Sequence, residues 1–148
     1  MRFGVSSTKG YYSIIQYCPD PSRLEVVNIG VALFCPDLRF LRARFGRRRT
    51  RITQFFGKQD WRFLALQQAA IEARFACEAE AFAKLEDFEA YVSRRANALT
   101  LTSPRPVKVE NPELELENLL LRLVGNQANP SIARRVIGPR VADPRSRG

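Results

Sequence analysis

Eleven consecutive residues, Glu25 to Cys35 (EVVNIGVALFC), are almost uninterruptedly apolar and are stopped by proline and aspartate on both sides: Cys18-Pro19-Asp20-Pro21 before them and Pro36-Asp37 after. A short run rich in β-branched residues reads as a strand, and apolar side chains at both parities mean that both of its faces are covered. The chain is thereby committed to a sheet with a layer on each side.

Tyr11 to Tyr17 (YYSIIQY) is a second strand, ended by prolines that no strand interior accommodates. Arg39 to Phe45 alternates, with Leu41, Ala43 and Phe45 on one face and Phe40, Arg42 and Arg44 on the other. This pattern predicts a half-exposed strand whose open face is cationic. Short Pro-Asp turns join the three into an antiparallel meander.

Helical spacing begins after Gly57. Asp60 is the expected N-cap of a long amphipathic helix over 60–82, with Trp61, Leu64, Gln68, Ile71, Phe75, Ala79 and Phe82 recurring at three- and four-residue steps. A second helix is expected over Leu85 to Ala96, with Leu85, Phe88 and Val92 together and Arg94 and Arg95 at its C-terminal end. Residues 99–109, interrupted by Pro104 and Pro106, read as an edge strand or an irregular hairpin. Asn111-Pro112-Glu113 opens a last helix along Leu116, Leu119, Leu120 and Leu123, and Gly125-Asn126 closes it. The expected fold is one α+β domain over 1–125, an antiparallel sheet of three to five strands packed against two or three helices. Residues 126–148 are expected to form a basic, flexible tail.

Composition narrows the chemistry. Among 148 residues there is no histidine, which excludes a His-dependent triad and a His metal site. Cys18, Cys35 and Cys77 are odd in number and widely spaced, so they draw neither a disulfide framework nor a Cys-x-x-Cys motif, and reduced thiols in a cytoplasm are expected. No apolar stretch approaches the roughly 18 residues that span a membrane. No Gly-rich phosphate loop occurs, so no cofactor and no catalytic residue are assigned.

The formal net charge of +9 is regional: residues 39–62 hold nine cations against Asp60 alone, and residues 126–148 add five arginines against Asp143. Arg42 and Arg44 project from a strand, and Arg47, Arg48, Arg49 and Arg51 follow in the next turn. Such a surface suits a noncatalytic accessory module docking an acidic protein, or a binder of nucleic-acid backbone with Phe40, Tyr11 or Tyr12 as stacking surfaces. The competing structural role is pairing with the acids at 72–89 and 110–117.

A second set, Asp20, Arg23, Glu25, Asn28 and Gly30, lies at and beyond the turn between the first two strands. With Asn28 and Gly30 on one face these residues would floor a pocket. Alternatively Arg23 locks the turn through Glu25 or Asp20, Asn28 is a satisfied amide, and Gly30 makes room for the long helix. A third functional reading, a small metal-dependent enzyme, would use Asp20, Glu25 or Asp37.

Residues 12–34, YSIIQYCPDPSRLEVVNIGVALF, carry a recognisable pattern: Tyr12, Ser13, Ile15 and Tyr17, then Pro19, Asp20, Arg23 and Glu25, then Val27, Asn28, Ile29, Gly30, Val31, Leu33 and Phe34. It resembles the opening signature of a bacterial family of domains of unknown function. A weaker likeness recurs near Ser103-Pro104-Arg105 and in the closing helix, so the resemblance covers most of residues 11–124. Members of that family are often encoded beside HipA-like kinases, which implies a kinase-like protein partner and no catalytic residue.

Overall fold

β2 (Val27–Cys35) runs through the centre of a five-stranded antiparallel sheet in the computed structural model of the chain, which describes residues 7–23, 25–47, 49–94 and 99–125. On one side of it lies β3 (Phe40–Phe45). On the other lies β1 (Thr8–Tyr17), whose outer edge pairs with β4 (Leu99–Leu101) and β5 (Arg105–Val109). Among the described residues four α-helices complete the α+β fold: α1 (Thr50–Phe56), α2 (Trp61–Cys77), α3 (Leu85–Val92) and α4 (Pro112–Leu123).

Both faces of β2 are covered, as its unbroken apolarity requires. Ala32 and Phe34 pack with Ile52 of α1, Leu64, Ile71 and Phe75 of α2, and Phe88 of α3. Val31, Leu33 and Cys35 pack with Leu116, Leu119 and Leu120 of α4. Each fully buried Leu or Phe in these layers contributes about 1.5–3 kcal/mol relative to exposure.

Two bulges correct the simple alternation. The register passes from Ile15 opposite Gly30 to Gln16 opposite Asn28, leaving Ile29 as an extra residue in β2. The extra residue inverts the parity, so Val27 and Ile29 join the layer of Ala32 and Phe34, whereas Asn28 turns to α4. Asn28 and Gly30 therefore lie on opposite faces, and the expected shared floor does not form. Gly30 makes room for a ring rather than for the long helix: a Cβ there would stand 2.6 Å from Phe45 Cδ1 and 2.9 Å from the Arg44 carbonyl oxygen.

The second bulge lies between β4 and β5, where the register moves from Ile15 opposite Leu101 to Tyr12 opposite Arg105. Residues 99–109 thus form one interrupted edge strand and not a hairpin. Two hydroxyls satisfy the break: Ser13 Oγ donates to the Thr102 carbonyl at 2.6 Å, and the Ile14 N–H donates to Thr102 Oγ1 at 2.9 Å.

The helices depart from expectation at three points. α2 has the Asp60 cap, whose Oδ1 accepts from the Phe63 N–H at 3.0 Å, but it ends at Cys77 and buries Gln67 where Gln68 was expected. A 3-10 turn then brings Phe82 against Phe75 and Tyr91. α3 closes at Val92, short of Ala96. α1 has no counterpart in the expected elements, so the arginines expected in a turn lead into and enter a helix that Gly57 stops at φ 74°. The tail expected over 126–148 lies outside the described residues.

Candidate functional site

β3 projects Arg42 and Arg44 toward α4, and α4 meets them with two carboxylates. Arg42 Nη1 stands 2.8 Å from Glu113 Oε2, Arg44 Nη2 stands 3.5 Å from Glu113 Oε1, and Arg44 Nη1 pairs with Glu117. Glu113 and Glu117 are four residues apart and so share one helical face. The cationic face of β3 is accordingly compensated, which corrects the expectation that it lies open.

The cluster continues differently beyond Phe45. Arg47 is exposed with no carboxylate partner among the described residues. Arg49 lies 4.7 Å from the centroid of the Trp61 ring, a cation–π contact that leaves its charge unneutralised. Arg48 and the Arg51 side chain lie outside the described residues. Neither tyrosine named as a stacking surface serves these arginines, because Tyr11 and Tyr12 pack against the two core layers.

At the end of β1 a cleft of about 210 Å³ is lined by Pro19, Asp20, Arg23, Glu25, Phe55, Phe56 and Gln59. Arg23 Nη2 pairs with Glu25 Oε1 at 3.0 Å, and both side chains are more than half exposed. Asp20 Oδ1 accepts from Ser22 Oγ at 2.7 Å and from the Ser22 N–H at 3.1 Å, and these bonds hold its carboxyl below the usual aspartate range. One wall is fixed from beneath, where the Tyr17 hydroxyl donates to Gln59 Oε1 at 2.5 Å and Phe56 meets the Tyr17 ring edge-on at 6.0 Å. Burial, and then Asp60, push the Tyr17 phenol up. Phe55 forms the outer wall, 66% exposed.

The cleft gathers Asp20, Arg23 and Glu25 but neither Asn28 nor Gly30. Asn28 Oδ1 accepts from Gln16 Nε2 at 3.0 Å, and its Nδ2 donates to the Leu123 carbonyl at 3.1 Å, closing the last turn of α4. It is a structural amide. The three acids of the metal reading do not converge: Glu25 precedes β2 and Asp37 follows it, about 30 Å along a nine-residue strand. Asp37 accepts instead from Thr8 Oγ1 at 2.9 Å.

Phe55, Phe56 and Gln59 were not singled out in the sequence. The available signal was Ile52, Phe55 and Phe56 at three- and four-residue steps, followed by Gly57.

A family model described as "Protein of unknown function (DUF3037)" matches residues 12–124. The chain belongs to the DUF3037 family. The DUF3037 match runs from β1 to the end of α4, and so takes in the cleft and the arginines beside it. No curated protein and no solved structure matches the chain. Among the described residues of this DUF3037 domain, no helix is long and apolar enough to cross a membrane.

Proposed function

We propose that this DUF3037 domain is a noncatalytic interaction module that docks an acidic partner protein on the surface made by Arg47, Arg49, α1 and the adjoining cleft. The observation that carries the reading is Phe55, 66% exposed at the mouth of the cleft and on the same two-turn helix that Arg49 begins. Exposed aromatic residues and arginines are the residue types enriched at protein-binding hot spots. In this reading carboxylates of the partner face Arg47 and Arg49, and an apolar side chain packs on the exposed ring of Phe55. The kinase-like partner implied by the family resemblance is one candidate.

Nucleic acid fits this surface less well. Phosphates tracking from Arg47 toward the cleft would meet Asp20 and Glu25, and like charges at close range oppose binding. The test is fluorescence anisotropy with two labelled probes, a peptide combining glutamates with one phenylalanine and a single-stranded oligonucleotide of similar charge. The peptide is expected to bind with at least tenfold higher affinity and to lose it in the R47A/R49A variant. Tighter binding of the oligonucleotide would transfer the reading to nucleic acid.

A further inference from the structure

Among the described residues α2 is the longest helix, and its side away from the core carries apolar residues as well. Its inner side is Leu64, Gln67, Ile71 and Phe75. Its outer side carries Leu66, 65% exposed, Phe63, 47% exposed, and the exposed residues Ala69, Ala73 and Ala76. Arg62, Leu66, Ala69, Ala73 and Ala76 follow one another at steps of four, three, four and three. That is the heptad spacing by which one helix lies along another.

We infer that the outer face of α2 binds the α2 of a second copy of this chain, antiparallel about a two-fold axis at Ala69. Charge decides both the occupant and the direction. The first turn of α2 carries the exposed Arg62 and its second half the exposed carboxylate Glu72, neither of which has an ion-pair partner among the described residues. In an antiparallel pair centred on Ala69, Arg62 stands opposite Ala76 of the second copy, one turn from its Glu72. The two-fold axis repeats this at the far end. A parallel pair would instead set Arg62 against Arg62 and Glu72 against Glu72, and would align the helix dipoles unfavourably. The alanines near the axis let the backbones approach to about 8 Å, the short end of helix packing.

The seam from Arg62 to Ala76 is about 21 Å long, from the helical rise of 1.5 Å per residue. It is smaller than a standard interface, so the association is weak, with half-dimerisation expected at roughly tens of micromolar. The face is distinct from the Arg47–Phe55 surface, so its test stands apart from the docking reading.

The experiment is sedimentation equilibrium of the full chain from 5 to 300 µM, together with oxidative cross-linking of A69C in a C77S background. Wild-type protein is expected to pass from monomer to dimer in that range. R62E and A69R, both at exposed positions, are expected to weaken dimerisation at least tenfold while leaving the far-ultraviolet circular dichroism unchanged. A69C is expected to form a disulfide-linked dimer, because its two copies face each other across the axis, whereas A65C, whose copies lie about 12 Å apart along the seam, is not. A monomer at 300 µM would overturn the proposal. So would a dimer indifferent to A69R, or one in which A65C cross-links as readily as A69C.

Discussion

Arg42 and Glu113 meet at 2.8 Å across the outer face of β3, joining an edge strand to the helix that covers it. With Arg44 and Glu117 the contact forms a four-residue network, and it divides the arginine cluster into a compensated part on the sheet and an available part beyond it. The domain uses Arg42 and Arg44 in its own architecture and leaves Arg47 and Arg49 without a carboxylate partner among the described residues.

That division predicts a modest and salt-sensitive effect. These side chains are 34–51% exposed, and exposed pairs typically contribute about 0.2–1 kcal/mol each. The E113Q/E117Q variant is expected to lose about 1 kcal/mol in urea denaturation, with the difference shrinking in 1 M salt. Binding of the acidic peptide should be unchanged or slightly stronger.

Gly30 predicts a larger loss. A Cβ at this position would lie 2.6 Å from Phe45 Cδ1 and 2.9 Å from the Arg44 carbonyl, and overpacking of this kind costs about 1–3 kcal/mol. Gly30→Ala should destabilise the fold by that amount. Phe45→Leu should rescue only part of it, because the backbone carbonyl of Arg44 stays in place. A double-mutant cycle by denaturation measures both effects.

The bulge between β4 and β5 rests on two hydroxyls. Ser13 is fully buried and donates to Thr102, and leaving buried polar groups without partners costs about 1–3 kcal/mol. Ser13→Ala and Thr102→Val are each expected to destabilise by about 1–2 kcal/mol. Combined, they should cost less than the sum, because one bulge accounts for both. Denaturation of the three variants gives the comparison.

The thiols should separate by chemistry. Burial, with Glu115 and Asp37 adding to it, pushes Cys35 up to about 11, while Cys77 is exposed. Native protein at pH 8 should therefore be alkylated at Cys77 and spared at Cys35, as read by mass spectrometry. A thiol whose folded value is raised lends its stabilisation fully below its unfolded value of 9.0 and loses it as the pH climbs through about 11. The stability curve is expected to fall across that window, and Cys35→Ser should flatten the fall.

Much of this fold could be read from residue order. The unbroken apolarity of β2 requires two covering layers, Asp60 and Asn111 mark helix starts, and the prolines place residues 99–109 at an edge. What could not be read was parity. A single extra residue, Ile29, sends Asn28 to α4 and Gly30 to Phe45, and nothing in local composition marks it. The pairing of Arg42 and Arg44 was equally hidden, since it joins residues some seventy positions apart. Half of the cleft was legible as Asp20, Arg23 and Glu25. The other half depended on α1, whose seven residues lie amid a run of charge that obscures their apolar spacing.

Trp61 is the only tryptophan of the chain and lies under Arg49, so its fluorescence reports directly on whether a ligand engages the arginine on which the proposed docking depends. Titration with the glutamate-phenylalanine peptide should give a saturable change, weakened about tenfold or more both by R49A and by F55A, since charge and apolar contact act together. A titration unaffected by F55A, or one reproduced by polyglutamate without the aromatic residue, would contradict the account.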